Sequence, residues 1–201
     1  MFDTFVRFWK IENNYWEIRE WPVDLVIPIC YTTRRDRLTL ATELNFQIAL
    51  GYLKIFPEAT LAFGNWPCGF QGAERVESEL KYVLLPLLDS IKFLEVSILN
   101  SVDEAEKIRK ATKDAGIEPR RILIVTGELH SRSVRFIYER VFPQAKILIT
   151  CIHYRNEVEP GHIVRVQRTL WKWIPANLVR HALLRTVGMS AIRNLRHRAV
   201  H

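Results

Sequence analysis

The sequence predicts an α/β protein, a three-layer Rossmann-like sandwich around a mostly parallel five-stranded sheet. Three observations carry this. Five short runs are rich in Ile, Leu and Val with little polar alternation, as in strands buried on both faces. Segments with helical spacing of apolar residues separate those runs. Strand–helix–strand units of this kind connect right-handedly, so their repetition winds a parallel sheet with helices on its two faces.

The elements follow in order. Residues 1–20 are aromatic-rich and fit either an edge strand or a packing arm. Residues 24–30 (DLVIPIC) form the first strand. A helix over 36–55 sets Leu40, Leu44, Ile48 and Tyr52 on one side. Residues 59–63 (ATLAF) form the second strand. A helix over 74–88 carries Val76, Leu80, Val83, Leu84 and Leu87, and Pro86 ends or kinks it. Residues 91–96 (IKFLEV) are the third strand. A helix over 101–115 places Val102, Ala105, Ile108 and Ala115, and Gly116 stops it. Residues 121–126 (RILIVT) are the fourth strand. A helix over 133–142 bears Val134, Ile137, Tyr138 and Val141. Residues 145–150 (AKILIT) are the fifth strand. Residues 153–161 read as a loop, and 163–173 as another strand or an irregular cover. The last helix, over 175–187, has Leu178, Val179, Ala182, Leu183 and Val187 on one side and Arg180, His181 and Arg185 opposite. The chain thus divides into an arm (1–20), one α/β domain (21–190) and a basic tail (191–201) that is expected to fray.

Composition agrees. The 201 residues suit one domain, and 48% hydrophobic with 25% charged residues is globular rather than disordered. No apolar run approaches the ~20 residues of a membrane helix. Asp3, Arg7, Lys10 and Glu12 interrupt any signal-peptide core, so a cytoplasmic protein is expected. Cys30, Cys68 and Cys151 are scattered, which argues against a disulfide framework or a zinc site, and no metal is expected. The net charge of +7 is concentrated. Residues 161–201 hold eight Lys/Arg and no acid, while the first 160 hold the other 21 basic and all 22 acidic residues.

In open α/β sheets ligands bind beyond the carboxyl ends of the strands. The segments there are polar and cationic: Thr32, Thr33, Arg34 and Arg35, then Gly64 and Asn65, then Asn100 and Ser101. After the fourth strand come Gly127, Glu128, His130, Ser131 and Arg132, and after the fifth His153, Tyr154 and Arg155. Helix N-termini beside Arg34, Arg35, Arg132 and Arg155 favour an anionic ligand. Each residue has an alternative as ordinary loop polarity. Ser101 and Glu104 have capping-box spacing, and helix capping is the expected role there. His130 sits between a strand and a helix, where a positive helix end keeps imidazole neutral and able to accept a proton. It is a candidate general base or ligand contact, or else a capping histidine. No GxGxxG, Walker A, GxSxG or HExxH motif is present, and TTRRD after the first strand leaves no glycine turn for a dinucleotide pyrophosphate.

The segments NSVDEA after the third strand and VTGELHSRSVRFIYERVFP after the fourth resemble those of the YdcF/SanA/ElyC-like (DUF218) group, over residues 24–188. Asn100 and Ser101 fall on that family's Asn-Thr pair and Asp103 on its glutamate. Thr126 and His130 fall on the Thr and His of the later motif. Glu74 falls on the glutamate of a Ser-Glu-Ala segment, and Gly64 on one glycine of the second turn. TLWKWIP resembles a Trp and Pro near the family's C-terminus. The chain departs where Thr32–Arg35 replace the first glycine turn, where Asn65 and Trp66 interrupt the second, and where Ser133 stands in place of the family arginine, with Arg132 one residue early. The resemblance implies a Rossmann-like fold, links to bacterial envelope or polysaccharide metabolism and, for one member type, S-adenosylmethionine binding.

Together these expectations describe a protein that binds a small anionic metabolite, nucleotide-like or a phosphorylated sugar. His130 would be its base. Arg34, Arg35 and Arg132 would be anion contacts, and Asn65 and Asn100 polar contacts. Transfer and hydrolysis both remain open. The alternative is a non-catalytic binding or scaffold protein with a degenerate pocket. For the basic segment an anionic membrane surface is one reading, and a final helix packed on the sheet with a solvated cationic face is the preferred one. No nucleic-acid module is present, and nucleic acid is not an expected partner.

Overall fold

The computed structural model of the chain describes residues 2–20, 22–67, 71–85, 91–162 and 164–190. Cys68, Pro86, Leu87 and the tail from 191 lie outside them. All five runs are strands: β1 (Leu25–Pro28), β2 (Thr60–Asn65), β3 (Phe93–Ser97), β4 (Arg121–Gly127) and β5 (Lys146–Ile152). Every pairing is parallel, in the order β3-β2-β1-β4-β5. Two short helices, α1 (Phe2–Trp9) and α2 (Tyr15–Arg19), precede β1. The crossovers are α3 (Leu40–Ile55), α4 (Ala73–Tyr82), α5 (Ser101–Asp114) and α6 (Ser131–Val141).

The period-two alternation of the strands sorts the core into two layers. Val26, Leu61, Phe63, Leu123, Val125 and Leu148 face α3, meeting Phe46, Ala49, Leu50 and Leu53. Leu25, Ile27, Ala62, Ile122, Ile124, Ile147 and Ile149 face the other way, onto Val102 and Ile108 of α5 and Val134 and Ile137 of α6. Helices on both faces explain why β1, β2, β4 and β5 read as apolar runs. β3 departs from the expectation of burial on both faces. It is an edge strand whose five residues are all partly or fully exposed. Its Glu95 takes hydrogen bonds from Asn65 and from Tyr82.

Residues 2–20 form a packing arm. Between its helices the chain runs beside the free edge of β5, where Asn13 N–H donates to the Ile149 carbonyl at 2.8 Å and Cys151 N–H to Glu12 at 3.0 Å. An open strand edge is thereby covered.

After β5 two 3-10 turns, Tyr154–Glu157 and Arg165–Arg168, lead to α7 (Leu170–Thr186). The region after 163 is an irregular cover running into a helix. No described helix is long and apolar enough to cross a membrane. The apolar side expected for α7 is corrected. Leu178, Val179 and Val187 are exposed, and the buried stripe is Trp173, Ile174, Asn177 and Leu184. The helix lies over the strand ends rather than over the apolar core alone, so its inner stripe includes polar residues with polar partners.

Candidate functional site at the strand ends

The order reverses between β1 and β4, because the chain steps outward from β1 to β3 and then returns to β4 on the other side. A crevice opens at the carboxyl ends of strands at such a point. Here it is a cavity of about 100 Å³. Tyr31 enters from β1, Trp66 from β2, Asn100 and Ser101 from β3 and His130 from β4, while Gln167, Trp173 and Arg180 come from the cover and α7.

The start of α5 differs from the capping box expected of Ser101 and Glu104. Asn100 is the cap, its Oδ1 accepting from the Val102 and Asp103 N–H groups at 2.9 Å each. Ser101 is the first helical residue, and its hydroxyl is free to meet His130 Nε2 at 3.2 Å. His130 likewise makes no side-chain capping bond to α6. Its ring is buried and turned into the cavity.

On the far side of that ring two groups compete for Nδ1. Asn177 Oδ1 lies 3.1 Å away, and Arg180 Nη1 also lies 3.1 Å away. Asn177 donates through Nδ2 to the Trp173 carbonyl at 2.9 Å, which turns its oxygen toward the imidazole. Asn177 therefore calls for a proton on Nδ1, and the guanidinium calls for a bare Nδ1. Burial, helped by the Arg180 charge and opposed by Asn177, pushes the His130 pKa down to about 3. The ring is neutral at pH 7. Arg180 also lies 5.5 Å from the Trp173 ring centre, in cation–π range. Among the described residues it has no carboxylate within ion-pair distance.

Two buried side chains on the cavity wall keep polar atoms without a partner among the described residues. These are Glu104, through Oε1, and Gln167, through Nε2. Burial pushes the Glu104 pKa up to about 8 against the pull of Lys81, so at neutral pH it is a protonated donor. Behind the wall, Lys81 is fully buried and donates to the Gly64 carbonyl (2.7 Å), Asn65 Oδ1 (2.9 Å) and Glu77 (2.7 Å). Glu157 takes the Leu129 N–H at 2.7 Å and the Trp173 indole N–H at 3.0 Å. Burial raises its pKa to about 8 although these donors favour the carboxylate. A Cβ on Gly127 would occupy the Glu157 carboxyl, so glycine permits this approach. Among the described residues no group of three His, Cys, Asp or Glu could hold a metal ion.

Of the residues singled out in the sequence, the fold brings Asn100, Ser101 and His130 together at the cavity. Thr126 and Gly127 stand behind it, reaching the Tyr31 hydroxyl at 3.4 and 3.1 Å. Gly64 and Asn65 belong to the Lys81 cluster. Asp103 takes the Leu99 N–H at 2.7 Å and pairs with Lys107 at 2.9 Å. Thr32 adopts a left-handed backbone (φ 82°) and accepts through its carbonyl from Thr39 and Thr42. Arg34 is tied to Glu159 (2.7 Å) and the Pro160 carbonyl (2.6 Å). Arg35 is exposed, and Glu74 lies half-buried in the first turn of α4. Arg132 donates to the Phe8 and Trp9 carbonyls and lies over the Trp9 ring. None of these last four lines the cavity.

The cation at the cavity is Arg180, which the sequence had placed on an outer face. Asn177, Gln167 and Glu104 were also missed as site residues. One signal was present: Trp173, Asn177 and Arg180 stand at helical spacings of four and three, a stripe that mixes aromatic, amide and guanidinium groups.

No family model matches the chain, and no curated protein or solved structure matches it.

Proposed function

We infer that the strand-end cavity binds one small anionic metabolite, nucleotide-like or a phosphorylated sugar, with its anionic group on Arg180. The observation that supports this most is a guanidinium at a buried cavity with no carboxylate partner among the described residues. Such a charge is costly unless something neutralises it. Gln167 and the protonated Glu104 would donate to further acceptor atoms of the ligand, and His130 would take or share a proton. A cavity of about 100 Å³ suits an anionic head and a few attached atoms, with the rest of the molecule outside. The reaction class is transfer or hydrolysis, and the DUF218 resemblance suggests a setting in envelope or polysaccharide metabolism.

A thermal-shift series tests this, using inorganic phosphate, a sugar phosphate, a nucleoside monophosphate and S-adenosylmethionine. A ligand at a hundred times its Kd adds about 2.7 kcal/mol, which for a domain of this size raises Tm by about 5–10 °C. Arg180→Met is expected to abolish the rise. If none of the four shifts the wild type, or the variant shifts equally, the anion site is wrong.

A second reading has one observation in its favour. Trp171 is 74% exposed and lies on the same side of α7 as Leu178, beside Lys172. This surface suits attachment to an anionic membrane by a binding or scaffold protein. Co-sedimentation with anionic vesicles should then drop for Trp171→Ser; equal binding by both proteins removes this reading.

A further inference from the structure

We propose that Ser101 is a nucleophile whose base, His130, is switched on by the substrate's own anionic group when that group draws Arg180 away from Nδ1. This deepens the function inferred above and rests on it. The substrate it implies is an ester that carries a separate anionic group.

The geometry sets the argument. Ser101 Oγ stands off Nε2 at 3.2 Å, and Asn177 Oδ1 stands off Nδ1 at 3.1 Å. That is the chain a serine nucleophile needs: hydroxyl, base and a third group that orients the base. Arg180 breaks it. With its Nη1 at 3.1 Å, the guanidinium donates to Nδ1, and a neutral imidazole then carries its single proton on Nε2. In that tautomer Nε2 donates to Ser101 and cannot take its proton. Asn177, its oxygen aimed at Nδ1 by its own bond to Trp173, favours the opposite tautomer. His130 thus stands between two arrangements of one proton, with Arg180 favouring Nε2 and Asn177 favouring Nδ1.

An anion on Arg180 resolves the contest. The guanidinium turns to the anion, Asn177 keeps the proton on Nδ1, and Nε2 becomes the acceptor for Ser101. The same event removes the cationic neighbour that helps burial hold the imidazole's pKa down, so His130 becomes more basic.

The substrate class follows from the sides of the ring. Ser101 lies off Nε2 and Arg180 off Nδ1, so the group held by Arg180 is not the group that Ser101 attacks. In the step itself Ser101 Oγ bonds to the acyl carbon and its proton passes to Nε2. The bond from that carbon to the leaving oxygen breaks, and Nε2 returns the proton to the departing alkoxide. Water, deprotonated by the same nitrogen, then attacks the acyl carbon, the bond from that carbon to Ser101 Oγ breaks, and Nε2 returns the proton to Oγ as the acid leaves. Gln167 Nε2 and the protonated Glu104, through Oε1, have no partner among the described residues and can donate to the acyl oxygen. Asn177 is a positioning residue.

Two probes separate the parts. The full chain is mixed with p-nitrophenyl acetate, which is neutral, or with p-nitrophenyl hydrogen succinate, which is anionic. Release of p-nitrophenol is followed as the excess over the protein-free rate, because the succinyl carboxylate itself expels p-nitrophenol, and the adduct is located by mass spectrometry. The wild type is expected to react at least tenfold faster with the succinyl probe and to carry the adduct on Ser101. Ser101→Ala loses the adduct, and His130→Gln slows the reaction by about 100-fold or more. Arg180→Met is the distinctive case, because it loses the succinyl preference and reacts faster than wild type with the neutral probe. In parallel, nitrogen-15 NMR of the His130 ring should move its proton from Nε2 to Nδ1 as inorganic phosphate is added. This readout needs no turnover and does not depend on any variant folding. If phosphate raises Tm through Arg180 but neither moves that proton nor accompanies an adduct on Ser101, the switch is overturned and the binding function stands. If Ser101 reacts equally with both probes and phosphate has no effect on Tm, both fail.

Discussion

Gly127 is where one missing side chain decides the site's architecture. Its N–H reaches the Tyr31 hydroxyl at 3.1 Å, and the space where a Cβ would sit belongs to Glu157. Glu157 in turn anchors the Trp173 indole of α7 and the Leu129 N–H before α6. Gly127→Ala forces that carboxyl out and strips two buried donors of their acceptor. The expected cost is about 2–4 kcal/mol, from overpacking plus unpaired polar groups. Urea denaturation checks it. A cost under about 0.5 kcal/mol means that Glu157 is free to move aside and does not hold α7. At this scale the sequence was informative wherever a polar residue directly followed a strand. Asn100, Ser101 and His130 were legible because strand ends are where such folds gather polar groups. Arg180 and Asn177 were not, since their contacts to His130 span 50 and 47 positions and no local pattern encodes them.

At the scale of elements, α4 is fastened to β2 by charge rather than by an apolar stripe. Its inner residues are Ala73, Glu77 and Lys81. The buried Glu77–Lys81 pair at 2.7 Å also satisfies the Gly64 carbonyl, Asn65 and the Trp66 N–H (3.0 Å). Lys81→Met leaves Glu77 buried without its counter-charge and should cost about 3–5 kcal/mol. The double variant Glu77→Gln/Lys81→Met should cost less than the sum of the single changes by at least about 1 kcal/mol. Additive costs in that cycle refute the pair as the fastening. The sequence pattern gave α4 an apolar face because Val76, Leu80 and Val83 have helical spacing, although Val83 is 74% exposed. The same cause misplaced the inner face of α7. Apolar periodicity locates a helix well, but it orients the helix only when hydrocarbon is what the helix buries. The strands of the sheet interior were legible for the converse reason: between two helix layers nearly every side chain must be apolar. β3 read the same way although it stands at an edge.

For the whole molecule, the buried titrating groups of the strand ends set how stability follows pH. Glu104 and Glu157 rise from an ordinary 4.5 to about 8 in the fold. Between those values the folded state keeps protons that the unfolded state has released, so stability falls as pH rises through this window. His130 and His162 drop from 6.5 to about 3 and about 4, in both cases through burial first. Below 6.5 the unfolded state binds protons that the folded state refuses, so stability falls as pH falls. From about pH 4.5 to 6.5 the two effects oppose each other, and Tm should be nearly level there. It should decline on both sides, and each unpaired titration contributes at most about 1.4 kcal/mol per pH unit. Melting curves from pH 4 to 9 check the profile. Glu104→Gln should remove roughly half of the decline above 6.5, tilt the level region so that Tm falls from pH 6.5 towards 4.5, and leave the slope below 4.5 unchanged, because the amide carries no proton to lose. An alkaline side equally steep in wild type and variant would mean that Glu104 is ionised in the fold. It would then be a carboxylate facing Arg180 across the cavity, and the donor assigned to the acyl oxygen would be lost.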